Sequence, residues 1–429
     1  AGWDEGRSVK WLVYELVFAL GFPFLLPGFL MRMIRRGGYR ARLGDRFALY
    51  PPEIVSSFEK GKGCFVWVHA VSVGEVQVAG QLMREWRAQE PSVRFCFSTT
   101  SSTGWQMARR EVTDRDVLIY NPLDFPNFVR SALSVVKPRA VILTESEIWP
   151  VFIRRAARLG IPLFLVNARV SDRSAPRYAR FRFLFKDVFA AFAKIFAQSS
   201  LDRDRLVAAG APKNLLEVSG SFKFDVARRN PAKEAEMREW IGPGRILLGG
   251  STWPGEDQAL ISIRKTLPDD VRLAIAPRHF EKADAVEENI RKAGFACVRR
   301  SRGDRRSGGK GEVFLADTTG ELMGLYGISD VVFVGKTLCA RGGQNMIEPC
   351  LCGKPVLVGP HTENFRPVMS DLMEKGAIEV VGSPEALGAR IADIFAHGDR
   401  GLGARARACV EHRRGVVPRC VRAIRGQLG

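Results

Sequence analysis

Short apolar runs, each followed by a small-residue turn and then a helical stretch, recur along most of this chain. Nothing else in the sequence constrains the fold as strongly. Cys64–His69 (CFVWVH), Val93–Ser98 (VRFCFS), Ala140–Leu143 (AVIL), Leu163–Asn167 (LFLVN) and Lys194–Ala197 (KIFA) read as buried strands. Continuous apolar runs separated by helices imply a parallel sheet covered on both faces. The rhythm stops near Asp225, where polar residues 226–244 (VARRNPAKEAEMREWIGPG) read as a linker with a short helix. A second series follows: Ile246–Gly249, Leu273–Ala276, Val313–Leu315, Val331–Val334 and Val356–Val358. The expected architecture is therefore α/β, with two doubly wound units and ligands in a crevice at the strand carboxyl ends. A length of 429 residues suits two such domains, since domains of ~200 residues are ordinary. The expected boundaries are 37–225 and 245–400, with 401–429 a helix packing back toward the first domain. Arg299–Lys310 (RRSRGDRRSGGK) has no apolar periodicity and reads as a solvated basic loop.

Residues 1–36 read as a membrane anchor with a basic flank. Trp11–Leu30 is apolar apart from Glu15 and about as long as a span requires. Pro23 and Pro27 would kink it and Glu15 is costly at bilayer depth, so a half-inserted segment is an equal alternative. Arg32, Arg35, Arg36, Arg40, Arg42 and Arg46 follow, against Asp45 alone, which places the remainder on the cytoplasmic face. The formal charge of +19 calls for an anionic partner: nucleic acid, a phospholipid surface or a phosphorylated substrate. No zinc, helix-turn-helix or RNA-binding signature supports nucleic acid. The eight cysteines contain no C-x-x-C pair, which fits a reduced compartment without a zinc site.

Chemistry gathers in the turns after the strands. His69-Ala70-Val71-Ser72-Val73-Gly74-Glu75 leads into a helix and sets Glu75 in its first turn, where a carboxylate also simply complements the helix dipole. Thr144-Glu145-Ser146-Glu147 offers paired carboxylates for acid–base or hydroxyl-binding work, or for capping the next helix. In the second series, Gly249-Gly250-Ser251-Thr252-Trp253-Pro254-Gly255-Glu256 resembles an anion-wrapping loop. Pro277-Arg278-His279 presents a guanidinium suited to phosphate or carboxylate. Arg341-Gly342-Gly343-Gln344-Asn345 is expected to open a helix, with Glu348 one turn in, whose N–H groups favour phosphate. None of these is a Walker A loop or a G-x-G-x-x-G fingerprint, which weakens ATPase and dinucleotide readings.

From about Tyr39 to Phe365 the chain resembles the bacterial Kdo (3-deoxy-D-manno-octulosonic acid) transferases. The strings that carry the likeness are HAVSVGEV, TTSSTG, TESEIWP, NARVSDRS, AQSSLDRDRL, GSFKFD, GGSTWPGE, APRH, ADTTGEL, YGISDVVFVG, RGGQNMIEP and GKPVLVGPHTENF, in that order. The resemblance implies a GT-B fold and transfer of Kdo from CMP-Kdo to a lipid A precursor, with inversion and with no cofactor or metal. It makes Glu75 the catalytic base and places Ser72, Gly74, Glu145, Glu147, Arg169 and Lys223 on the acceptor side. It assigns Ser251, Thr252, Pro277, Arg278, His279, Gly320, Glu321, Gly342, Gly343, Gln344, Asn345 and Glu348 to the donor. Two departures stand out: Trp253-Pro254 and Gln344 occupy positions where relatives commonly carry His. Gln hydrogen-bonds but does not titrate, so a proton-transfer role at 344 is weakened. The rival enzyme class is another GT-B envelope enzyme using a UDP-sugar.

Basic residues from Arg154 to Lys194, interleaved with Tyr178, Phe181, Phe183, Phe185, Phe189 and Phe192, read as a surface for an anionic leaflet and its phosphorylated lipid, or equally as a core helix with a solvated basic face.

Overall fold

The structure is a computed structural model and describes residues 9–36, 40–309 and 311–429. The start of the resemblance at Tyr39, the last residue of the basic loop at Lys310 and the side chains of Arg32, Arg35, Arg36 and Arg40 lie outside the described residues. The chain divides into two compact units, Ala1–Val226 with Gly415–Gly429, and Ala227–Arg414.

The described residues of each unit build one seven-stranded parallel sheet. In the first unit the strands are β1 Phe65–His69, β2 Arg94–Thr99, β3 Val117–Tyr120, β4 Ala140–Thr144, β5 Leu163–Ala168, β6 Lys194–Ala197 and β7 Leu216–Val218, in the spatial order 3-2-1-4-5-6-7. In the second they are β8 Arg245–Thr252, β9 Val271–Pro277, β10 Ala296–Arg299, β11 Glu312–Leu315, β12 Val331–Val334, β13 Val356–Val358 and β14 Glu379–Val380, in the order 10-11-9-8-12-13-14. Every residue of β1, β4, β5, β12 and β13 is buried, as strands covered on both faces must be. The order reverses between β1 and β4 and again between β8 and β12. Ligands of open α/β sheets bind at such switch points, outside the carboxyl ends of the strands.

The serines that follow several strands are helix caps. Ser72, Ser101 and Ser199 accept from the backbone N–H three residues on, satisfying donors that a helix start leaves orphaned. The polar stretch expected as a linker is largely the helix Pro231–Ile241, capped by Asn230 and anchored in the second unit by buried Met237, Trp240 and Ile241. Residues 401–429 form two helices in different units. Leu402–His412 closes the second unit, and Val416–Gly426 returns to the first. There its Val417, Cys420, Val421 and Ile424 share a core with Val66, Val76 and Phe222, and Asp225 accepts from the Gly415 and Val417 N–H groups.

The basic stretch is held by ion pairs at its start, Arg299–Arg302, while most of 303–309 is exposed, as expected of a solvated loop. Arg299 pairs with Asp317 at 2.6 Å and Glu287 at 2.9 Å, Arg302 with Glu287 at 2.7 Å, and Arg300 with Glu321 at 2.8 Å. Those carboxylates come from distant segments, which is why local periodicity carried no sign of them.

The N-terminal hydrophobic segment is the helix Val9–Arg36. One face docks on the first unit. Trp11 is buried, Arg154 lies 4.0 Å over its ring, Lys10 pairs with Asp187 at 2.5 Å, and Phe18 and Phe22 meet Phe125 at 5.2 and 5.1 Å. Val13, Leu16, Val17, Leu20 and Phe24 are exposed. Among the described residues, no helix is long and apolar enough to cross a membrane.

Candidate active site

In the first unit the switch point collects carboxylates. Ser72 caps the helix Val73–Gln89, Gly74 is its second residue and Glu75 its third. The Glu75 backbone donates to Ser72 Oγ at 3.3 Å, and Ser72 Oγ donates back to Glu75 Oε1 at 2.9 Å. The Ser72 half is the bond the S-x-x-E spacing favours, while the Glu75 carboxylate returns to the Ser72 hydroxyl and the Val71 N–H in place of the Ser72 N–H. Oε2 accepts from Val71 N–H at 2.9 Å and lies 3.4 Å from the Thr144 hydroxyl at the end of β4, which sits closer, at 2.9 Å, to the His69 carbonyl. Glu75 is thus a cap as well as a candidate site residue, and it is only 8% exposed. Burial pushes its carboxyl up to about 7, with the charges of Glu147 and Glu145 adding to the rise while the Val71 and Ser72 hydrogen bonds oppose it.

Glu145 follows β4 in the left-handed region at φ 51° and accepts from Asn167 Nδ2 at 3.3 Å. Burial raises its pKa, and Lys223 and Arg169 pull it back down. The Lys223 ammonium is itself lowered by burial. Arg169 also donates its backbone N–H to the Glu145 carbonyl at 3.3 Å. Glu147 accepts from Trp149 Nε1 at 3.0 Å and lies 3.8 Å from His69 Nε2. The acceptor-side residues read from the sequence therefore converge on one face of this unit. His69, Thr144 and Asn167 join them from the ends of β1, β4 and β5, where an apolar run does not distinguish a polar residue at its end.

The second unit's switch point is organised by Glu256, which had been assigned no role. Its carboxylate is fully buried. Oε2 accepts from the N–H groups of Trp253 at 2.8 Å and Lys336 at 2.7 Å, and Oε1 from those of Thr337, Leu338 and Cys339 at 3.0, 2.9 and 3.3 Å. It ties the turn after β8 to the turn after β12. Gly335 allows this close approach, since a Cβ there would lie 2.4 Å from the Ser251 carbonyl. Ser251 takes φ 55° where the pairing of β8 with β9 skips a residue. The Thr252 carbonyl accepts from Arg278 N–H at 3.0 Å, holding the end of β9 beside it. The Arg278 guanidinium is exposed and pairs with no described residue. Trp253 packs edge-on against His279 at 4.8 Å, with Lys336 Nζ 4.8 Å from its ring centre. Thr252, Trp253, Pro277 and His279 line a cavity of about 310 Å³.

The remaining donor-side expectations are met unevenly. Gly342 and Gly343 take φ 116° and 73°, and Gly343 N–H reaches the Lys336 carbonyl at 2.9 Å. The helix expected to open at Gln344-Asn345 starts instead at Ile347 and spans only Ile347–Leu351. Asn345 accepts from Ile347 N–H at 3.0 Å, which spends its side chain on the turn, and Glu348 falls in the first turn with its pKa raised by burial. A phosphate would therefore meet the irregular turn and not a helix start. Glu321 is engaged by Arg300, while Gly320 beside it adopts φ 87° facing open space. Among the described residues, no cluster of three metal-ligating side chains forms.

Residues 41–226 match the sequence profile of the 3-deoxy-D-manno-octulosonic-acid transferases (kdotransferases). The transferase of that description from Haemophilus influenzae is 32% identical over 381 residues, spanning 87% of this chain and 88% of its own length. That from Bordetella pertussis is 34% identical over 388 residues, spanning 85% and 86%. The chain belongs to the Kdo transferases. It is a glycosyltransferase, and its fold is GT-B. UDP-GlcNAc 2-epimerase from Neisseria meningitidis shares that fold at 14% identity, covering 85% of this chain and 99% of its own, with a TM-score of 0.58. A glycosyltransferase from Rickettsia africae shares it at 13% identity, 86% and 99% coverage and a TM-score of 0.57. In this Kdo transferase, Trp253 is filled in by ring and cation contacts with His279 and Lys336, so the departure at 253 brings its own packing partners.

Proposed function

We propose that this Kdo transferase moves Kdo from CMP-Kdo to a lipid A precursor, with inversion and without a required metal, at the cytoplasmic face of the inner membrane. The observation that carries the proposal is Glu75, a carboxylate aimed by Val71 and Ser72 and held near neutrality. A sugar hydroxyl is a very weak acid, so a base must take its proton as the bond to the anomeric carbon forms. A carboxylate with its pKa near the working pH does this best. On the donor side the leaving group is CMP, whose phosphate the unpaired Arg278 and the turns at Ser251-Thr252 and Gly342-Gly343 are suited to bind. Direct displacement by the activated hydroxyl inverts the anomeric centre. The test is incubation with CMP-Kdo or UDP-sugars, a tetra-acylated lipid A precursor and EDTA, followed by mass spectrometry of the lipid. Kdo addition from CMP-Kdo in EDTA is expected, and transfer from a UDP-sugar alone would overturn the donor.

Arg278→Ala should raise the KM for CMP-Kdo by tenfold or more and leave the lipid KM nearly unchanged, since a hydrogen bond between charged groups contributes about 1.5–3 kcal/mol. Steady-state kinetics with each substrate varied in turn checks this.

Membrane attachment is proposed to be double. The exposed apolar face of Val9–Arg36 supplies burial, and exposed Arg173, Arg177, Arg180, Arg182 and Lys186 beside exposed Phe181 and Phe183 supply charge attraction. Each basic residue near an anionic leaflet contributes about 1 kcal/mol, screened over ~8 Å at physiological salt. A variant lacking residues 1–30 should therefore sediment with anionic liposomes at low salt and wash off at high salt, whereas the full chain stays bound. A truncated form that stays in solution at low salt would leave the helix as the sole attachment.

A further inference from the structure

His69 ends β1 with 1% of its surface exposed and takes no part in the chemistry described so far. Its Nδ1 lies 3.1 Å from the Ser98 carbonyl oxygen and 2.8 Å from Ser98 Oγ. A carbonyl oxygen only accepts, so Nδ1 carries a hydrogen. Ser98 Oγ also accepts from Trp67 Nε1 at 2.8 Å and lies 3.3 Å from Asn121 Oδ1, which gives its own hydrogen somewhere to go. A neutral His69 in this tautomer presents a bare lone pair at Nε2. That atom is buried and has no hydrogen-bond partner among the described residues, yet it faces Glu147 Oε2 at 3.8 Å. Trp149 holds the pair in place, donating Nε1 to the same Oε2 at 3.0 Å and packing its ring edge-on to the imidazole at 6.0 Å. A lone pair facing a carboxylate oxygen, away from water, is unfavourable, and a single proton between them turns the contact into an ion pair.

We propose that His69 is a positioning residue that keeps one proton between its Nε2 and Glu147 Oε2, and so relieves Glu75 of a neighbouring negative charge. The proposal rests on Glu75 being the base. The groups bearing on Glu147 are Glu75 from the turn after β1, Glu145 from its own turn and Tyr178 from the helix Ala175–Arg180. Lys223 and Arg169 answer Glu145. Of the ionic neighbours that disfavour the Glu75 carboxylate, Glu147 weighs most. A proton shared with His69 reduces that effect, so Glu75 remains a carboxylate at lower pH.

The experiment is a double-mutant cycle read as the pH profile of kcat/KM, which reports ionisations of the free enzyme. His69→Asn keeps an amide N–H toward Ser98 and deletes the Nε2 side. Glu147 is then fully charged, and the acid limb should move up by about one pH unit, a roughly tenfold lower kcat/KM at pH 6. Glu147→Gln removes the charge, and the limb should move down. The double variant should match Glu147→Gln alone, because His69 acts only through Glu147. Equal limbs in wild type and His69→Asn, or shifts that simply add, overturn the proposal. Nitrogen-15 spectra of histidine-labelled enzyme give a readout independent of activity. They should show both ring nitrogens of His69 protonated in the wild type and an Nδ1–H neutral ring in Glu147→Gln, and an Nε2–H neutral ring in either protein overturns the proposal. If Glu75→Gln remains active, the base assignment falls on its own, and the spectra still decide whether the proton is shared.

Discussion

Replacing Glu75 by Gln should lower the rate of transfer by about 10²–10⁴ while leaving CMP binding in place, because proton transfer by a positioned side chain is typically worth that much. The amide oxygen of Gln can still accept from the Val71 N–H, and its NH2 can donate to Ser72 Oγ once that hydroxyl turns away, so the cap and the fold should survive; what is lost is basicity. The pH dependence follows from the same group. Its carboxyl is raised to about 7, so the active carboxylate is scarce at pH 5 and dominant at pH 8. The wild-type rate should therefore rise with pH through about 7, and the residual rate of the variant should lose that limb. Single-turnover measurements, with folding followed by circular dichroism, check both points. A Gln variant within tenfold of wild type would remove Glu75 from the chemistry.

Glu256→Ala should cause the largest loss of stability of any single change considered. It would strip hydrogen-bond acceptors from the N–H groups of Trp253, Lys336, Thr337, Leu338 and Cys339 in one step. Each buried N–H left unpaired costs about 1–3 kcal/mol, although water entering the gap would recover part of this. A net loss of several kcal/mol corresponds to a melting temperature lower by roughly 10 °C for a unit of this size. The turns after β8 and β12 would no longer be joined, so CMP affinity should fall well beyond tenfold. Glu256→Gln, which keeps one acceptor oxygen but adds N–H groups facing donors, should fall between the two. Differential scanning calorimetry and titration with CMP are the measurements, and an unchanged midpoint with unchanged CMP affinity would show that the strut is dispensable.

What was legible in the sequence was whatever is buried on both sides. The runs at β1, β2, β4, β5, β6, β8, β9, β11, β12 and β13 announced themselves because each holds at least three consecutive apolar residues. The strands that went unread were β3, β7, β10 and β14, which are short and lie at or next to sheet edges. β7 carries exposed Glu217, β10 ends on Arg299, and β14 opens with Glu379. Edge strands are kept short and charged to discourage further pairing, and that device hides β7, β10 and β14 from a hydrophobic pattern, whereas β3 is apolar throughout and no charge hides it. The same reason explains the site. Glu75, Glu145 and Arg278 sit in turns where their residue type was conspicuous. His69 and Glu256 act through backbone groups and partners far along the chain, which no local window contains. The short helix after Gly342-Gly343 was misplaced because Asn345 accepts from Ile347 N–H and fixes the start there.

The return of Val416–Gly426 to the first unit bears on how the protein is made. Residues up to Val226 leave the ribosome long before the helix that completes their core, with all of Ala227–Arg414 still to be synthesised in between. At ~5–20 residues per second, that interval is on the order of 10–40 s. For its duration, the apolar surface around Val76 and Phe222 that Val417, Val421 and Ile424 later cover is exposed on the nascent chain. The second unit, continuous in sequence, can close meanwhile. A nascent chain stalled before Val416 should therefore be a chaperone client in its first half and folded in its second. Supplying residues 415–429 in trans as a peptide should rescue it, giving the two halves of one enzyme separate folding clocks.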